Sequence, residues 1–137
     1  MSVIFVVATI IFLALGVFFS AKDKDDREKM KQDVLMYSVV PSLIFGTIGH
    51  LFLASKTRED MGWDNSTGVI TLQRELGLFT ASLLVIALTK KEPGVGLGWG
   101  LFLLAAGINH IIVNNKVGEV AMIDIVYGLF LMLVFKD

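Results

Sequence analysis

Five stretches of this 137-residue chain are apolar for about 20 residues each, and that length restricts the fold more than any other feature. A helix rises about 1.5 Å per residue, so about 20 apolar residues cross the hydrocarbon of a bilayer. The first stretch, residues 3–21, holds 19 residues without a charge. That is about 28 Å of helix. A cleaved leader is the rival reading. No basic residue precedes the run, and Phe19 is bulky at the −3 position of a cut after Ala21, so we expect a retained helix.

Composition agrees with a membrane solvent. The chain is 55% hydrophobic with a mean hydropathy of +0.73, which fits a single membrane domain over residues 1–137. Twelve basic and 13 acidic residues give a net charge of −1, so there is no electrostatic footprint for nucleic acid. With no cysteine, disulfides, thiolate metal sites and thiol redox chemistry are excluded.

Residues 22–32 carry five basic and four acidic side chains and read as a solvated cytoplasmic connector or short surface helix. The second span is expected over residues 33–55, kinked near 39–41 because Pro41 lacks a backbone donor. On it Leu43, Gly46, Thr47, His50 and Ala54 share a face rich in small residues, which lets a neighbouring helix approach beside the imidazole. A polar connector, 56–67, places Trp63 where interfacial aromatics sit.

The third span, 68–89, has Ser66 or Thr67 as its N-cap. Thr71, Glu75, Leu78 and Ser82 share a face, which points Glu75 into the bundle while adjacent Arg74 snorkels or pairs across it. Breakers at 90–94 precede the fourth span, 95–114, which opens with glycines at 94, 96, 98 and 100. These lack the preceding strand and the Gly-Lys-Ser/Thr of a phosphate loop, so they read as close helix packing. Gly107, His110 and Asn114 share a face next to Asn109. The fifth span, 117–135, carries Asp124 with Tyr127 and Gly128 on one side.

Lys and Arg in the connectors and at the C-terminus divide eight to three between the two ends of the bundle, which orients the chain in the cell membrane with the N-terminus outside and the C-terminus cytoplasmic. The expected architecture is an all-α integral membrane bundle of five spans. A four-helix up-down core (33–135) is joined by a peripheral N-terminal helix (3–21). In that arrangement His50, Glu75, His110 and Asp124 fall in one layer toward the outer face, the histidines on one diagonal and the carboxylates on the other.

Four short motifs, Gly46-Thr-Ile-Gly49-His50, Met61-Gly62-Trp63, Gln73-Arg74-Glu75-Leu76-Gly77 and Gly107-Ile-Asn-His110, resemble the pattern of DoxX-like small prokaryotic membrane proteins, in particular an uncharacterised branch of them. The resemblance covers about residues 33–135. It implies a four-helix membrane core, and some relatives are linked to quinone-coupled sulfur oxidation. For the branch itself it implies no activity.

Three readings of the polar layer stand open. In the first, His50, Glu75, His110 and Asp124, completed by Asn109 and Arg74, form a hydrogen-bond network that fixes helix register, and the protein acts as an accessory, assembly or signalling component beside a membrane partner or a second copy of itself. In the second the same four side chains hold a metal ion, with zinc or non-haem iron suited to two imidazoles and two carboxylates. A haem on the histidine pair ranks below it, since it needs a wide gap beside Gly46, Gly49, Ala106 and Gly107. In the third, a quinone headgroup, lipid or small organic molecule occupies an outward-opening pocket lined by Trp63 or Tyr127, with a histidine as acid/base. Asn65-Ser66-Thr67 matches a glycosylation acceptor but reads better as a cap. Apolar inner halves of the spans argue against a channel.

Overall fold

The computed structural model describes residues 3–137, all of whose regular structure is helical. α1 is Val3–Lys22, α2 Arg27–Phe52, α3 Ala54–Met61, α4 Thr67–Lys90, α5 Gly94–Asn114 and α6 Glu119–Phe135. Four of these, α1, α2, α4 and α5, are long and apolar enough to cross a membrane. The chain is a small all-helical multi-pass membrane protein. Its outer surface is apolar, with Val3, Ile10, Leu72, Val85, Leu101, Ile112 and Leu133 all exposed, as a lipid solvent requires.

Local chemistry explains the helix ends. The Asp26 side chain accepts from the Lys29 backbone N–H at 3.1 Å and starts α2; the Ser66 hydroxyl accepts from Val69 N–H at 3.3 Å and starts α4. α3 stops at Gly62 and α5 at Asn115, both in the left-handed region, with φ of 69° and 52°.

α2 departs from the sequence expectation at both ends. It begins at Arg27, six residues before 33, because Arg27 to Gln32 are good helix formers behind a cap, and Met30 and Lys31 are buried rather than solvated. It breaks at Leu53 (φ −115°), and residues 54–61, the end of the expected span and the first half of the expected connector, form α3. Between these ends lie two π turns, Leu35–Val39 and Ile48–Phe52. The first precedes Pro41, whose missing N–H already leaves the Tyr37 carbonyl without its usual partner; Val40 N–H instead reaches back five residues to Leu35.

α5 and α6 form the tightest pair, along a seam of glycines. A Cβ on Gly100 would lie 2.8 Å from Leu131 Cβ, one on Gly107 2.8 Å from the Ala121 carbonyl, and one on Gly128 2.6 Å from the Gly100 carbonyl. Of the glycines that open α5, only Gly96, against the Phe135 ring, and Gly100 are in this seam. Gly98 meets nothing within 4 Å and Gly94 only the Glu92 side chain, because 94 and 98 share another face.

The ring of helices also differs from a four-helix bundle with an appendage. α1 packs between α2 and α6, with Gly16 under the Phe130 ring and the Ser38 hydroxyl donating to the Phe12 carbonyl at 2.7 Å. α4 packs on α2, where Thr47 and Thr80 hydroxyls are 3.0 Å apart, and touches α5 only thinly. The N-terminal helix is therefore part of the wall, though most of its surface remains exposed.

Packing is unequal along the bundle. Fully buried Val34, Leu35, Val39, Ala87 and Leu131 all lie toward the end carrying the α1–α2 and α4–α5 turns and the C-terminus. That end is tied by Gln32 Nε2 to the Lys91 carbonyl (3.0 Å), Arg27 to the Lys136 carbonyl (2.6 Å) and Lys31 to Asp137 (3.2 Å). The opposite half is hollow.

Candidate functional site

A cavity of about 280 Å³ fills the hollow half, bounded by α1, α2, α4, α5 and α6, with α3 and Trp63 over its mouth. Its walls are mostly apolar and aromatic. The polar groups that enter them are few, and each has a traceable position.

His50 sits on the second π turn of α2, half-buried, its ring stacked on Trp63 (centroids 5.9 Å, 10° between planes). Its Nδ1 lies 3.5 Å from Nε2 of Gln73, a side chain only 2% exposed. Gln73 Nε2 also donates to the Ala54 carbonyl at 3.0 Å, while its Oε1 accepts from Arg58 Nη1 at 2.7 Å. One amide thus fastens α4 to the α2–α3 corner. The close approach depends on Gly77, where a Cβ would fall 2.6 Å from Leu51 and 3.2 Å from His50 Cβ.

Tyr127 is 1% exposed and hydrogen-bonded to Ser38 Oγ at 2.7 Å. Because Ser38 spends its own proton on the Phe12 carbonyl, the phenol is the donor. In the same way Ser42 donates to the Val39 carbonyl (2.8 Å) and accepts from Trp99 Nε1 (2.8 Å). Two large rings that line the cavity are thus fixed by their polar tips. His110 is half-buried on its border and also borders a second cavity of about 220 Å³ that reaches Asn114 and Lys116.

Asp124 is the exception. It is 4% exposed, lines the cavity, and its Oδ1 is buried without a hydrogen-bond partner among the described residues. Burying an unpaired polar atom is costly, so such a group needs a reason.

At the mouth, Lys56 pairs with Asp60 at 2.9 Å, and that carboxylate holds the Lys56 ammonium above its ordinary pKa. Nearby, the Ser66 hydroxyl and backbone N–H hold Asp64 below the usual carboxylate range.

His50, His110, Asp124, Tyr127 and Trp63 therefore border one cavity. Glu75, Arg74 and Asn109 do not; all three are exposed on the outside of the bundle. The phase of α4 is set by Gly77 and Thr80, which pack on α2 and turn the face through 73, 77 and 80 inward. Thr71, Glu75, Leu78 and Ser82 consequently all face out. Among the described residues no hydrogen bond joins His50, Glu75, His110 and Asp124 to one another, and no group of three or more His, Asp or Glu is close enough to hold a metal ion. The expected register network and the four-ligand metal site are both absent from this arrangement, since Glu75 lies on the wrong face. Gln73 is the residue that sequence reasoning missed. Its signal was the small residues Gly77 and Thr80, four and seven positions on.

Comparison of the chain with protein-family models, with curated proteins and with solved structures returns no match in any of the three.

Proposed function

We propose that this protein is a membrane-embedded binding protein for a small amphiphilic molecule, held in the cavity beneath Trp63. The observation that carries the reading is the contrast within one bundle: one half is packed solid, and the other encloses about 280 Å³ bordered by a buried carboxyl oxygen that none of the described residues satisfies. Ligand sites are mostly apolar concavities with a few polar groups, of roughly 300–1,000 Å³, so this cavity suits a ligand at the small end. Binding there would serve sensing or delivery in an accessory role.

The topology belongs to the same proposal. α6, with 17 residues and about 26 Å of helix, is the fifth span, pairing with α5 along the glycine seam. The eight-to-three excess of Lys and Arg places the tied end in the cytoplasm and the mouth outside, with the N-terminus outside and the C-terminus inside. We retain the likeness to DoxX-like proteins as part of this reading, supported by the convergence of His50, Met61, Trp63 and His110, drawn from separate motifs, on one cavity. Arg74 and Glu75, charged and exposed two turns into α4, favour a second role for that face as contact with a membrane partner or a second copy of the chain.

The test is to fill the cavity. Ala106→Phe places a ring in the space. Native mass spectrometry of gently solubilised protein should show a bound small molecule on the wild type and none on the variant, with the variant melting at the same temperature or higher. Wild-type protein empty from every expression host and lipid, and indifferent to added amphiphiles, overturns the reading.

A further inference from the structure

We propose that the cavity takes a lipophilic amine, whose ammonium N–H donates to Asp124 Oδ1 while the aromatic walls receive its apolar body. This rests on the binding reading above and names the chemical class of its ligand.

A carboxylate only accepts, so the missing partner of Oδ1 is a donor. Four of the hydroxyl and indole donors around the cavity are already used. Tyr127 donates to Ser38 and Trp99 to Ser42; Thr80 donates to the Gly77 carbonyl at 2.9 Å and Thr57 to the Gly49 carbonyl at 2.7 Å. None of these four reaches Asp124, and an occupant of the cavity supplies the donor they do not.

Charge narrows the class. Lys56 is the one lysine or arginine in the lining among the described residues, and Asp60 already pairs with it at the mouth. Asp124 is therefore a carboxyl group without a counter-charge in an apolar wall, whose ionised form an entering cation stabilises and an entering anion disfavours. The remaining walls suit a cation as well. Trp63, Trp99, Phe102 and Tyr127 line the cavity, and ring faces attract an ammonium group. Trp99 and Phe102 stack on each other in parallel (5.3 Å, 6°), and the pair adds apolar surface to the lining for the ligand body.

The test uses two probes of equal length, 4-phenylbutylamine and 4-phenylbutan-1-ol, titrated calorimetrically into wild-type protein in phosphatidylcholine nanodiscs, with empty nanodiscs subtracted. Both can donate a hydrogen bond; only the amine is charged. The amine should bind about tenfold or more tightly than the alcohol, the range expected for hydrogen bonds to charged groups. In Asp124→Asn the amine should fall to the alcohol's level while the alcohol changes little. Infrared difference spectra of the wild type, which need no variant, should show a carboxyl band altered by the amine and not by the alcohol. Equal binding of both probes, or an amine preference that survives in folded Asp124→Asn, overturns the amine proposal and leaves the cavity reading standing. No binding of either probe overturns both. Nanodiscs containing phosphatidylethanolamine separate two sources of the ammonium group: competition with the amine assigns the site to a lipid headgroup, and its absence to a free amine.

Discussion

Replacing Asp124 by leucine should make the protein more stable. The usual expectation for a buried polar residue is the opposite, because its partner is left unsatisfied. Here Asp124 is 4% exposed and its Oδ1 has no partner among the described residues to abandon. A buried polar group without a hydrogen bond costs about 1–3 kcal/mol on mutational scales, and an ionised one costs more. Leucine is larger, but the cavity beside position 124 has room for it, and its full burial contributes about 1.5–3 kcal/mol. Only part of that is available, because the side chain borders a cavity. The net expectation is a gain of about 1–3 kcal/mol, which for a chain of this size raises the midpoint by roughly 3–10 °C. The assay is thermal unfolding of wild type, Asp124→Leu and Asp124→Asn in one detergent, with size-exclusion profiles to establish that each is folded. Asp124→Leu should melt highest. A fall of more than about 3 °C in a folded Asp124→Leu would refute the reasoning, since it would mean that the carboxylate holds the helices together. A stabilising change at a binding residue is what a site that sacrifices stability for a ligand predicts.

Other positions test the packing and the corners. Gly128→Ala should destabilise by about 1–3 kcal/mol in the same melt, because its Cβ meets backbone atoms of Gly100 and Leu104 that cannot move aside, whereas Gly98→Ala, in open space, should be neutral or slightly stabilising. Gln73→Leu should cost about 1–3 kcal/mol and increase the mobility of Trp63, measured by fluorescence anisotropy; Glu75→Gln should leave both within about 0.5 kcal/mol and a few per cent. Asp64 is held below its ordinary value of 3.8 by Ser66, so its contribution to the α3–α4 turn is fully present above that value and lost as pH falls through the lowered one. Amide exchange at Ser66, compared between pH 6 and the acid end with the intrinsic rate removed, should show protection declining only below about 3.8.

The helices were legible because a bilayer demands uninterrupted apolar length, and that signal survives without knowledge of neighbours. The exception is instructive. Residues 27–32 carry enough charge to read as a connector, yet Asp26 caps them and α2 runs straight through. His50, His110, Asp124, Tyr127 and Trp63 could be placed near one another from depth alone. Glu75 could not, because a choice between adjacent residues depends on the phase of α4, and that phase is set by Gly77 and Thr80 meeting α2. The second π turn adds a rotation that 100° per residue does not contain, and it falls on His50 itself. Alternation of glycines likewise says that helices come close but not which of two faces is used.

The unequal packing of the two halves makes the stiffness of this protein graded along its axis. Backbone amides near Leu35, Val39 and Leu131 sit in the solid half and should open only with global unfolding, whereas those beside His50 and Trp63 border empty space and should open by local fluctuation. An occupant therefore stabilises one half of the molecule and leaves the other as it was. A midpoint reported by the whole bundle will understate such a ligand, while a probe confined to the mouth will register it in full.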